Sequence, residues 1–149
     1  MIYSNINNFF HGIMFHHFHD LHNHKKGQGS ISKEIFYKII NFIGKKNILD
    51  AKDFNQTMKE KKLKKTDVCL TFDDALKCQY DIAFPILEDL NIKSFFFINS
   101  SLFSQKPDLL EIYRYFRTNY FNNINQFYKS FFKNIEEDIN KIINNNYNE

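Results

Sequence analysis

Three short runs of bulky apolar residues constrain this chain more than anything else in it. They are Gly12-Ile13-Met14-Phe15-His16, Val68-Cys69-Leu70-Thr71-Phe72 and Ser94-Phe95-Phe96-Phe97-Ile98. Each is too short for a helix and is bounded by polar residues, the pattern of a strand buried on both faces. The stretches between them carry helical spacing. Buried strands alternating with amphipathic helices imply right-handed crossovers and a parallel sheet or barrel, with functional groups gathered at the carboxyl ends of the strands.

The intervening segments can be read residue by residue. Ser32 is placed to cap a helix whose apolar positions Ile35, Phe36, Ile39, Ile40 and Ile43 follow helical spacing, and Gly44 is placed to end it. Ile48-Leu49-Asp50 reads as a brief extended piece, with Asp50 capping a short peripheral helix that presents Phe54 and Met58 on one face. Between Gln79 and Leu90 the apolar residues Tyr80, Ala83, Phe84, Leu87 and Leu90 recur at three and four, with a turn or kink expected at Pro85. Beyond Pro107 there are two helical patterns, Leu109, Ile112, Tyr113, Phe116 and then Phe127, Phe131, Ile135, Ile139, Ile142, with no further strand. The Asn-rich end, Asn144 to Asn148, reads as a frayed low-complexity tail. The expected division is an α/β part over residues 1–104 and a helical insertion or tail over 105–149.

Composition narrows the class. With 149 residues and 43% hydrophobic content the chain has the length and apolar content of one domain with a real core. Eighteen Phe and eight Tyr against four Gly and two Pro favour a ring-filled, helix-rich mixed fold over a small all-β one. Twenty basic and seventeen acidic residues leave a net charge of +3 and no stripe of arginine among aromatics, so nothing points to nucleic acid. The basic cluster Lys59 to Lys65 reads as solvated surface. Cys69 and Cys78 lack the C-x-x-C spacing of a redox or zinc site and read as buried thiols. No basic n-region, small-residue cleavage site or 18-residue apolar span is visible, so a soluble cytoplasmic protein without a transmembrane segment is expected.

The chemistry concentrates where the second strand stops, at Asp73 and Asp74. Successive side chains on a strand diverge, so one carboxylate can ligate a cation while its neighbour faces a water as base, an arrangement suited to metal-assisted hydrolysis. The plainer alternative is that one of them caps the next helix. His16, His17, His19, His22 and His24 crowd the loop after the first strand, and His17 and His19 share a face if that strand continues. They read either as a metal site or as polar lining.

Thr71-Phe72-Asp73-Asp74, the helix ending Phe84-Pro85-Ile86-Leu87-Glu88-Asp89-Leu90-Asn91-Ile92-Lys93 and the strand Ser94 to Ile98 together resemble the polysaccharide deacetylase (NodB homology) family. There a Thr-Phe-Asp-Asp-Gly motif precedes a Pro-x-Leu helix, a turn and a Phe-rich strand. Ile13-Met14-Phe15-His16 also resembles that family's opening strand, which commonly ends in an aromatic-His pair, and the resemblance spans about residues 12–99. It implies that Asp73 is the catalytic base and Asp74 a metal ligand, beside two histidines of a His-x-x-x-His motif. It also implies a divalent metal, usually zinc, that polarises the acetamide carbonyl. The implied activity is hydrolysis of N-acetyl, less often O-acetyl, groups on a glycan during cell-surface polysaccharide formation. His16, His17 and His19 would then line a barrel mouth and touch substrate.

The chain departs from the family pattern in two ways. Ala75 stands where the motif has glycine, and no histidine comes after His24, so the two histidine ligands and the later motifs are missing. Three strands cannot close a barrel. The expectation is therefore an α/β fold, a partial and distorted (β/α) barrel with a helical C-terminal extension, inactive or weakly active by itself. The alternatives are a non-catalytic glycan- or metal-binding remnant, or half of a split deacetylase completed by a second chain.

Overall fold

The computed structural model describes residues 11–104 and 106–135. These fall into two compact units divided between Pro107 and Asp108. In the first unit, strands β1 (His11–Phe15), β4 (Val68–Asp73) and β5 (Phe95–Phe97) form one sheet in the order β1-β4-β5. A smaller sheet pairs β2 (Phe18–His19) with β3 (Ile31–Ser32). All of these pairings are parallel. The three apolar runs are thus the three strands of the main sheet, and the fold is mixed α/β.

Register explains how the sheet serves both a core and a site. Phe15 lies opposite Phe72, and Phe72 opposite Phe96, so these three rings project from one face. Phe72 stacks on Phe15 at 5.5 Å and on Phe96 at 4.7 Å between centroids, while Phe36 meets Phe15 edge-on at 4.8 Å. Phe18 and Phe36 complete a ring-filled core with Ile40, Leu70, Ile86 and Leu87, as the phenylalanine content requires. Met14, Thr71 and Phe95 are aligned on the opposite face, as are Asp73 and Phe97.

Helix α1 (Lys33–Ile43) follows β3 directly. Ser32 has extended backbone and its hydroxyl accepts from the N–H of Ile35, while Gly44, at φ 80°, donates its N–H to the carbonyl of Ile40. Phe36 and Ile40 bury the inner face of that helix. Ile48 then forms a single parallel bridge to Val68, the extended piece expected there.

Helix α2 (Ala51–Lys59) begins after Asp50, but the Asp50 side chain does not cap it. Its Oδ1 instead accepts from the backbone N–H of Lys93 at 3.0 Å, and the Ala51 N–H donates to the Lys93 carbonyl at 2.7 Å. The carboxylate serves a distant turn whose donor lacks a ladder partner, and so ties the start of α2 to the chain entering β5. Phe54 is buried, whereas Met58 is half exposed.

The segment between β4 and β5 departs from its sequence reading. Residues Gln79–Ala83 form a π-helical turn that runs into helix α3 (Phe84–Asp89). Pro85 has no N–H, and its ring would crowd the carbonyl four residues back, so widening the preceding turn relieves both problems. The Phe84 N–H reaches back to the Gln79 carbonyl. The extra residue in the turn shifts the helical phase. Tyr80, expected on the buried stripe, is 68% exposed, and Gln79 is 1% exposed.

The second unit is a helical hairpin of α4 (Leu109–Tyr120) and α5 (Ile124–Asn134). Asp108 caps α4 by accepting from Leu110 N–H and Glu111 N–H, and Asn123 caps α5 by accepting from Gln126 N–H. Phe121 meets Phe116 and Phe127 edge-on at 5.6 and 5.3 Å, and the Arg117 guanidinium lies 6.0 Å from the Phe127 ring centre. The expected positions Ile139 and Ile142 and the Asn-rich end lie outside the described residues.

Candidate active site

β4 is the central strand, so the chain leaving it emerges in the middle of the sheet's carboxyl edge. Asp73 is its last residue; Asp74 at φ 70° and Ala75 at φ 51° then turn the chain through two successive left-handed residues. Neither aspartate caps the next helix, since no side chain bonds the start of the π turn. Both line an open cleft of about 510 Å³ together with Met14, Thr71, Phe97, Ile98 and Asn99. The cleft thus sits over the carboxyl ends of the strands, where α/β folds place their chemistry. Of its lining residues, Met14 and Phe97 each leave more than half of their surface exposed to solvent.

Asp74 is held in place. The Nε2 of His16 lies 2.7 Å from Asp74 Oδ2, and the Nδ1 of His17 lies 2.7 Å from the Nδ1 of His16. With Asp74 ionised, His16 must donate from Nε2, and a neutral His16 then accepts at Nδ1 from the Nδ1–H of His17. The result is a relay of two imidazoles ending on one carboxylate.

The other histidines of the loop go elsewhere. His19 Nδ1 is 2.9 Å from the Ser30 hydroxyl, and His24 Nε2 is 2.7 Å from Asp81 Oδ2. β1 stops at Phe15, so His17 and His19 do not continue it as alternate residues of one strand. Asp20 organises the tip of the loop: its Oδ1 accepts from the N–H groups of His22, Asn23 and His24. Those bonds, with the one from His24 the largest, lower its pKa from 3.8 to about 2. Asp81 is likewise pushed below the usual carboxylate range, first by the hydrogen bond from Lys77 and then by that from His24. Burial raises the Cys69 thiol above its ordinary value.

One residue of the site escaped the sequence reading. Gln79 sends its side-chain nitrogen to the carbonyl of His16 at 2.9 Å and to that of Asp73 at 2.6 Å. A signal for it was present: Gln79, Ile82 and Ile86 are three and four apart, which puts a glutamine on an apolar stripe.

Among the described residues the lining supplies two carboxylates and no imidazole or thiol. For a zinc-type ion, which takes nitrogen, sulfur and carboxylate ligands, it provides one arm of a ligand set, Asp74 with its orienting histidine, and not the whole.

Residues 60–119 match the family profile described as polysaccharide deacetylase. In fold, the chain is similar to a de-N-acetylase from Aggregatibacter actinomycetemcomitans, with a TM-score of 0.51 and 20% identity over 64% of this chain. It spans 39% of that enzyme's length. No curated relative matches the sequence. The profile match contains β4, both aspartates, the π turn, α3 and β5 in the order read from the sequence. Over these residues the chain is similar to the polysaccharide deacetylase family, and the match supports a NodB-like deacetylase domain there.

Proposed function

We propose that the cleft is one side of a metal-dependent deacetylase site that hydrolyses acetamide groups on a glycan. The observation that carries this reading is the pair Asp73 and Asp74 at the end of the central strand, both lining the cleft while only Asp74 is engaged by His16. The two carboxylates thereby have different environments and can take different roles.

In this reading Asp73 takes the proton of a water in the cleft as its oxygen attacks the acetyl carbonyl carbon. The C–N bond then breaks, and the leaving nitrogen gains a proton to give acetate and a free amine. Asp74, oriented by His16, is one ligand of a divalent ion of the zinc type. When bound, such an ion acts as a Lewis acid on the acetyl oxygen. Met14, Phe97 and Ile98 offer an apolar floor for the face of a sugar ring. The sheet belongs to a partial (β/α) barrel, and the missing nitrogen ligands come from residues outside this set.

The test is acetate release from N-acetylglucosamine oligomers with added Zn²⁺. The isolated chain is expected to show negligible release and a weak zinc site that Asp74→Ala abolishes. Zinc uptake unaffected by Asp74→Ala but lost in a His17→Ala, His19→Ala double variant would replace this reading with binding through the loop. Acetate release abolished by Asp73→Asn would show the site already sufficient.

A second reading, completion by another chain, is favoured by the sheet itself. β1 and β5 each pair only with β4 among the described strands, which leaves each with an unpaired edge. Activity that appears only on mixing with a partner chain supplying the histidines would support it.

A further inference from the structure

Gln79 is the most deeply buried polar residue described in the chain, at 1% exposure, and its side chain spans two strands. Both contacts of its amide are to carbonyl oxygens, of His16 and of Asp73, so the nitrogen must face them and its two protons are both used. The side-chain oxygen is buried with no hydrogen-bond partner. Leaving such an atom unpaired is unfavourable, and a methionine or leucine would fill the same space without that cost. What the amide does at this position is hold two strand ends in register. His16 O belongs to the residue that grips Asp74, and Asp73 O to the residue before Asp74.

From this we infer that Gln79 is the positioning residue of the site: it clamps the ends of β1 and β4 so that the His16 imidazole meets the Asp74 carboxylate. The inference gives these two groups their role on the deacetylase reading, but its geometry stands without it. The π turn is part of the device. Gln79 is its first residue, and the turn buries it together with Ile82 and Ala83 while its amide reaches the two carbonyls. Asp74 and Ala75, both left-handed, have no strand ladder to hold them, so the clamp on Asp73 O is the nearest fixed point.

The experiment uses the full chain and Gln79→Met, which keeps the volume and removes both donors. Phe54→Leu, on α2, serves as a control chosen for a comparable loss of melting temperature. The readout is the His16 Nε2 proton seen by NMR and its exchange with water. Loss of a supporting shell typically costs about tenfold or more, so exchange in Gln79→Met is expected to be at least about tenfold faster than in the natural chain. In Phe54→Leu it should stay within about twofold. If Gln79→Met does not fold, Gln79→Glu takes its place, since its carboxyl offers at most one proton to the two carbonyls, and the same acceleration is expected. Unchanged exchange in the Gln79 variant, or equal acceleration in the control, overturns the inference. A parallel Zn²⁺ titration of the natural chain separates the two claims: no uptake removes Asp74 as a ligand, and the exchange result still decides the role of Gln79.

Discussion

His16 Nε2 and Asp74 Oδ2 lie 2.7 Å apart although 58 positions separate them in the chain, and this contact joins the carboxyl ends of β1 and β4. A ligating carboxylate that is free to rotate binds metal less well than one held by a hydrogen bond. His16→Ala is therefore expected to weaken zinc binding by about tenfold or more, as measured by calorimetric titration. His19→Ala, whose ring is engaged by Ser30, should leave it unchanged.

Ala75 occupies a left-handed backbone position at φ 51°, where the family motif has glycine. A side chain there costs roughly 1–2 kcal/mol, offset in part by the roughly 0.5–1 kcal/mol of backbone entropy that glycine loses on folding. Ala75→Gly should stabilise the chain by about 0.5–1 kcal/mol in denaturant unfolding.

Phe72 is fully buried and its ring contacts those of Phe15, Phe18, Phe36 and Phe96. Phe72→Ala removes the centre of that cluster and should destabilise the chain by about 3–5 kcal/mol. Thermal unfolding checks this, and Phe42→Ala, on the exposed side of α1, provides the comparison with little loss expected.

The Asp20 carboxyl, with a folded pKa of about 2 against an ordinary 3.8, binds its proton less readily folded than unfolded. The stabilisation it contributes is present above the unfolded value and is lost as pH falls through about 2. Asp81 acts in the same direction. Asp20→Asn keeps an acceptor but cannot ionise. The melting temperature of the natural chain should therefore fall more steeply than that of the variant between about pH 4 and pH 2.

Local pattern made part of this structure legible in the sequence. The three main strands were readable because buried runs such as Val68 to Phe72 leave no other solution, and the ends of α1 because Ser32 and Gly44 carry their own capping chemistry. The hidden features depend on contacts across the chain. Asp50 has the type and place of a cap yet bonds Lys93, 43 positions away. Ahead of Pro85 the chain takes a π turn in which Tyr80 is exposed and Gln79 buried, so of the two overlapping apolar stripes the one through Gln79, Ile82 and Ile86 faces the core. Asp73 and Asp74 drew attention as adjacent carboxylates, but only the sheet reveals that His16 addresses one of them and that His19 and His24 turn away. The two-residue strands β2 and β3 are too brief to leave a pattern.

The uniformly parallel pairing has a kinetic meaning. No strand of the main sheet pairs through a tight hairpin, so every rung must wait for a long loop to close before any ladder bond rewards it. Folding of this unit should be slow for its size, with the carboxyl ends of β1 and β4 coming together late. The imidazole–carboxylate contact would then double as a reporter of the folding clock: its appearance after dilution from denaturant marks the moment at which the central strand has found its neighbour.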